Sequence, residues 1–191
     1  MKVLRIAIAL AAVSLAAGCA SSYGRGPSAA SPNPMANFSS MVSGTFRGST
    51  PGNELTLDIA NAGFVSTTEA FDLFLTASGR YQGTNVRDTG LIHAENQGRN
   101  VGITYIPHFD PTVSGLSRDA TRFTPEELRS ACNLVLEPSG DGYAGETLGS
   151  TSCAFAIHGA TGKWTVDVDA GQIRLRNVQS GETLRFQRAS R

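Results

Sequence analysis

No stretch of the 191 residues reaches the ~20 consecutive apolar positions that a transmembrane helix needs, the nearest being 6–15. No run of lysine or arginine follows the first five residues, and 16 basic residues balance 16 acidic ones, which argues against nucleic acid and against electrostatic docking on anionic lipid. Lysine is nearly missing, so arginine carries almost all the positive charge. The three histidines, His93, His108 and His158, lie in separate segments and begin no H-x-x-x-H or H-E-x-x-H pattern. Each reads as a lone surface or turn residue; His108-Phe109-Asp110 could bring imidazole and carboxylate together, but Pro111 marks a loop. Gly-x-Ser-x-Gly and Cys-x-x-Cys are both missing, and Ser43-Gly44 and Ser114-Gly115 read as turn dipeptides. The chain therefore names no catalytic residue, no metal site and no cofactor.

What is present at the N-terminus is an address. Lys2 and Arg5 form a basic region, 6–15 is apolar, and Leu15-Ala16-Ala17-Gly18-Cys19 is a small-residue cleavage site closing on cysteine. This layout predicts a cleaved bacterial lipoprotein signal over 1–18 and lipidation at Cys19. Ala16 holds the place where a large aliphatic usually sits, with Leu15 one position further back; a plain secretory signal is the alternative. Residues 19–37, rich in Ala, Ser, Pro and Gly, have little to bury and are expected to be a lipidated, flexible tether, which leaves 38–191 as one domain. Ala20 is not the aspartate that commonly signals inner-membrane retention. The expected location is thus the cell envelope, at the outer membrane, facing the periplasm.

With Cys19 assigned to lipid, Cys132 and Cys153 remain as a pair in an oxidising compartment, and a disulfide between them is expected. Their spacing and the lack of nearby histidines argue against a metal or redox site.

From residue 41 onward, short runs of β-type residues alternate with Gly, Asn, Asp and Ser. Glycine, at 21 of 191 residues, supplies the turns. Strands are predicted over 42–47, 54–60, 70–77, 80–87, 90–95, 99–107, 131–138, 142–148, 154–158, 163–169, 172–178 and 183–187. Trp164, Val166 and Val168, then Ile173 and Leu175, recur every second position, with Thr165, Asp167, Arg174 and Arg176 between them. Asp169-Ala170-Gly171 and Gln179-Ser180-Gly181-Glu182 read as hairpin turns joining the last three strands in a meander. So many short antiparallel strands without helical crossovers predict an all-β fold, a barrel rather than a sandwich because closure leaves no exposed edge. Thr124-Pro125-Glu126-Glu127 is a capping box for one short helix, and Thr67 or Thr68 is placed to cap a second over 67–71.

Beyond Phe123 the landmarks follow an order: the capped helix, Cys132-Asn-Leu-Val-Leu-Glu, Tyr143-Ala-Gly145-Glu146-Thr147, Cys153, the Trp164 strand and a closing Phe186-Gln187-Arg188. This order resembles the CpcT/CpeT family of phycobiliprotein chromophore lyases over 123–188, with a faint match at Gly44-Thr45-Phe46. The resemblance implies a calycin-like barrel with a cavity for a bilin or another flat apolar molecule. The family's Trp-Tyr-Val-Glu-Gln-like and Tyr-Arg-Gln-Arg-like strings have no counterpart in 71–106, so barrel and cavity carry over and lyase chemistry does not.

Candidate ligand-binding residues are Tyr105, Trp164, Arg174, Arg176 and Arg185. The arginines would clamp a carboxylate if they faced inward, and would form a solvated face if they lay opposite Ile173, Leu175, Leu184 and Phe186. Tyr105, Trp164, Phe155 and Phe186 read as core residues first. Three functions compete: a lipid-anchored barrel holding an apolar small molecule, tetrapyrrole-like or lipid-like; an envelope interaction module without ligand, acting as a homodimer or with a protein partner; and a chromophore-lyase-like enzyme.

Overall fold

The computed structural model describes residues 34–50, 52–109, 130–149, 153–154 and 161–190. Predictions at Cys19, at the 124–128 helix, at Phe155 and at His158 lie outside them. Period-two patterning builds most of what is described. In β10 (Trp164–Val168) the burial alternates strictly, with Trp164, Val166 and Val168 inside and Thr165 and Asp167 half-buried between them. The same alternation puts Ile173 and Leu175 of β11 (Gln172–Asn177) and Leu184 and Phe186 of β12 (Thr183–Arg188) in the core.

These strands continue a sheet made of β1 (Gly44–Thr50), β2 (Asn53–Ser66), β3 (Ala70–Tyr81), β4 (Thr84–Gln97), β5 (Asn100–Pro107), β6 (Cys132–Ser139) and β7 (Gly142–Thr147). Each pairs antiparallel with its neighbour in sequence, β7 passes directly to β10, and β12 closes on β1 through Phe46↔Arg188. The result is a closed ten-stranded antiparallel barrel, the expected all-β class. Closure leaves no sheet edge unpaired. A two-stranded flap of β8 (Cys153–Ala154) and β9 (Thr161–Gly162) stands outside this ring. The expected disulfide ties it down: Cys132 at the start of β6 is bonded to Cys153, with Cα atoms 5.4 Å apart and both residues buried.

Two local expectations are corrected. The 80–87 segment is not a strand but the β3–β4 hairpin, whose two-residue turn places Gln82 at φ 47° and Gly83 at φ 79°. Both central residues at positive φ match the right-handed twist of the flanking strands, and Gln82 N–H donates to Asn53 Oδ1 at 2.7 Å. The 67–71 helix is replaced by the β2–β3 turn. There the Thr67 hydroxyl accepts from Ala70 N–H at 2.9 Å and Glu69 N–H at 3.2 Å, the bonds it would have offered a helix N-terminus.

The one helix among the described residues is α1 (Pro34–Val42), in a stretch read as tether and first strand. Met35, Phe38, Met41 and Val42 recur at helical spacing and are buried, so this segment has a face to bury after all. Proline at its first position suits a helix start.

Antiparallel topology sorts the connections between two ends. The β1–β2, β3–β4 and β11–β12 turns share one end; α1 and the β2–β3, β4–β5, β6–β7 and β10–β11 turns share the other. The barrel is filled differently at each. Toward the β3–β4 end stand the fully buried Trp164 ring, Tyr81 and the disulfide. Toward the α1 end an aliphatic space is bordered by the rings of Phe38, Phe71 and Tyr143, with Phe46 beside Arg188 at the helix C-terminus. A separate small cluster of Leu91, Ile106 and Phe109, with Phe74 6.0 Å from Phe109 between ring centroids, lies on the outer wall of β3–β5.

Candidate ligand cavity

Inward-facing side chains of the α1 half leave a void of about 80 Å³. Ile59, Ile92, Ile103, Leu134, Val166 and Ile173 wall it from six strands, Tyr105 closes one side, and Phe38 and Val42 of α1 form its floor. No polar atom faces it. A site of this size without polar partners stays dry, because a water needs two to four hydrogen bonds to be held there. Tyr105 is positioned by the absence of a side chain opposite. Its ring lies across Gly90, where a Cβ would come within 2.5 Å of the phenolic oxygen.

The helical floor is fastened at both ends. At its N-terminus the Tyr143 hydroxyl donates to the Pro34 carbonyl at 3.2 Å. Burial pushes the Tyr143 hydroxyl above its ordinary pKa, so it stays a donor. Phe38 stands edge-on to Tyr143 with ring centroids 5.5 Å apart and stacks on Phe71 at 6.2 Å. At the C-terminus Arg188 donates from Nη1 to the Ser43 carbonyl at 2.6 Å, and from Nη2 to the Met41 carbonyl and, at 3.4 Å, to that of Ser40. These are the carbonyls a helix leaves without internal partners, and a cation suits that end of the helix dipole. The same guanidinium lies 4.5 Å over the Phe46 ring, and its Nε donates to Ala170 O at 2.6 Å.

The candidate residues do not converge on this void. Tyr105 lines it, while Trp164 is fully buried in the other half, where its backbone N–H donates to Thr147 Oγ1 at 3.1 Å. Arg174, Arg176 and Arg185 alternate with inward residues and so project outside. Arg174 Nε donates to Asp167 Oδ2 at 3.1 Å, and Arg174 stands opposite Arg185 on the neighbouring strand. Of the two orientations open to these arginines, the register gives the solvated one.

Sequence reading missed Phe38 and Val42, for which the apolar spacing from Met35 onward was the available signal. It also missed two imidazole–carboxylate pairs. His93 Nδ1 is 2.7 Å from Asp72 Oδ1, a carboxylate on the outer wall that is almost fully buried. The hydrogen bond to Asp72 raises the His93 pKa against the opposing effect of burial. His108 Nδ1 is 2.5 Å from Asp88 Oδ2, with His108 at φ 55° just past β5. Among the described residues no group of three or more His, Cys, Asp or Glu side chains is placed to hold a metal ion.

Comparison of the chain with protein-family models, curated proteins and solved structures finds no match in any of the three.

Proposed function

We propose that this chain is a lipid-anchored envelope protein whose barrel holds an apolar small molecule, or the end of a hydrocarbon chain. The observation that carries this reading is the void itself. A core that otherwise fills the barrel leaves one dry, wholly apolar space, and its floor is a helix rather than a sheet. A closed β-barrel is compatible with small-molecule binding, since its interior is a ready cavity with rigid walls. At about 80 Å³ the space is well below the ~300 Å³ at which drug-sized pockets begin. A tetrapyrrole would therefore need the barrel to open considerably, and a slim hydrocarbon suits it better. The resemblance of 123–188 to the CpcT/CpeT family supports the barrel-with-cavity reading and adds no acid, base or nucleophile.

The signal-like N-terminus and Cys19 support an anchor, and Ala20 supports the outer membrane. Because α1 is the first described element, a tether from Cys19 would hold the barrel by its α1 end, with the cavity floor nearest the lipid. Native mass spectrometry of the full exported protein, with organic extraction, tests the ligand. A reproducible excess mass is expected, and a bare mass would remove it. Labelling with radioactive palmitate should mark the protein and not Cys19→Ser; recovery only with the inner membrane would sink the outer-membrane assignment.

The smallness of the void favours one second reading, an interaction module with an essentially filled barrel. A bare mass together with a reproducible partner in crosslinked membranes would establish it.

A further inference from the structure

We propose that α1 is the gate of the barrel cavity, that Arg188 is its latch, and that what it admits is uncharged along the whole of its enclosed part. The inference rests on the reading of the void as a ligand site and adds the route and the chemical class.

The two ends of the barrel differ in how they are held. At the β3–β4 end stand a covalent disulfide, the fully buried Trp164 ring and a Tyr81 hydroxyl that donates to Glu182 Oε2 at 2.7 Å across 101 residues of sequence. At the opposite end Phe38 and Val42, both from α1, stand between the void and the outside. The helix is not part of the hydrogen-bonded ring. Its polar fastenings to the barrel include the Tyr143–Pro34 bond and the Arg188 bonds to Ser40, Met41 and Ser43. Breaking the Arg188 bonds exposes carbonyls at the helix C-terminus that water can satisfy. The joint lies next to the latch. Gly44, at φ +132°, connects helix to barrel, and a Cβ there would meet Arg188 Nη1 at 2.6 Å. Only glycine gives both that backbone conformation and that close approach.

Ligand class follows from the wall. With no polar atom facing the void and Arg174, Arg176 and Arg185 on the outer surface, a carboxylate or sulfonate inside would be an uncompensated buried charge. A charged headgroup has to remain outside the gate.

The test uses the full-length exported protein, its Arg188→Gln variant, and Tyr143→Phe as a milder change at the other fastening. Hydrogen exchange should show α1 amides exchanging through an opening that spares β3 and β4. Arg188→Gln should speed that exchange about tenfold, and Tyr143→Phe less, with strand exchange unchanged. If α1 exchanges only together with the barrel strands in all three proteins, the gate is overturned. Two matched probes then test the class: N-phenyl-1-naphthylamine, and 8-anilinonaphthalene-1-sulfonate, which adds a sulfonate to the same frame. The first should bind the wild type and associate about tenfold faster with Arg188→Gln, while the second should not bind inside. Equal association rates would overturn the latch while leaving the cavity reading intact. An α1 that opens without either probe binding would overturn the ligand class and the cavity reading under it.

Discussion

The imidazole of His93 and the carboxylate of Asp72 face each other across β3 and β4 with 2.7 Å between Nδ1 and Oδ1, on the outer wall of a barrel whose interior is apolar. The pair is partly shielded, because Asp72 is almost fully buried and the His93 side chain is 22% exposed. The next strand continues the row with Thr104, opposite His93, whose hydroxyl donates to Asn133 Oδ1 at 3.0 Å.

This pairing has a pH signature with a definite sign. The folded-state pKa of His93 is raised above the ordinary 6.5, mainly by the Asp72 hydrogen bond. Protonation at His93 therefore stabilises the fold fully below about pH 6.5, and that contribution is lost as pH rises through the folded value. Proton NMR should show His93 titrating above 6.5, and the wild type's thermal advantage over His93→Gln should shrink between neutral and alkaline pH. Titration below 6.5 would contradict the assignment.

Removing the disulfide in a Cys132→Ala/Cys153→Ala double variant should cost about 3 kcal/mol, from the freedom returned to the unfolded chain. Urea denaturation at constant slope reads this as a lower midpoint. A loss under about 1 kcal/mol would mean that the flap of β8 and β9 contributes little to the cooperative unit.

Asn177 is buried and its side chain makes three hydrogen bonds: Nδ2 donates to Thr161 O at 3.0 Å, and Oδ1 accepts from Gln179 N–H at 2.9 Å and Ser180 N–H at 3.0 Å. It builds the β11–β12 turn and holds β9 to it. Asn177→Ala strands those partners and should destabilise by about 2–3 kcal/mol, whereas Gln179→Ala, which loses no described side-chain bond, should change stability by less than about 0.5 kcal/mol. Equal midpoints for the two variants would refute the role given to Asn177.

Gly90→Ala drives a methyl group into the Tyr105 ring, which must leave its place against the cavity. The expected cost is about 1–3 kcal/mol with a changed tyrosine near-ultraviolet signal. An unaltered spectrum and midpoint would show that the wall is softer than its packing implies.

Val166→Ile adds one methylene toward the void and should stabilise the unliganded protein by about 0.5–1 kcal/mol while weakening uptake of N-phenyl-1-naphthylamine. Stabilisation without any effect on uptake would place the probe elsewhere.

Much of the barrel was legible in the chain. Trp164, Val166 and Val168 alternate with Thr165 and Asp167 so regularly that only a half-buried strand accommodates them, and Asp169-Ala170-Gly171 closes its hairpin as read, with Gly171 N–H on Asp169 Oδ1 at 2.7 Å. The Cys132–Cys153 bond followed from the cysteine count and the oxidising compartment expected from the N-terminus. The errors are local competitions. Thr67 serves a turn with the hydroxyl that could cap a helix, and Gln82 takes a turn position where Asn or Gly was the expected signal. Pro34 and Asn37 gave 34–37 the composition of a tether, Val42 was read into the first strand, and the spacing of Met35, Phe38 and Met41 was too short a run to outweigh this.

The sequence by itself determined the strands, their turns, the class of fold and the disulfide, because these depend on periodicity and on chemistry within a few residues or on a unique pairing. Tertiary structure alone decided which interior half is filled and which is hollow, that α1 forms the floor, that Arg188 reaches the carbonyls of Ser40, Met41 and Ser43, and that Asp72 meets His93. Period two says that one face of a strand is buried but not what stands opposite it. That is set by the register of ten strands closing on each other, a non-local condition in which residues more than a hundred positions apart become neighbours.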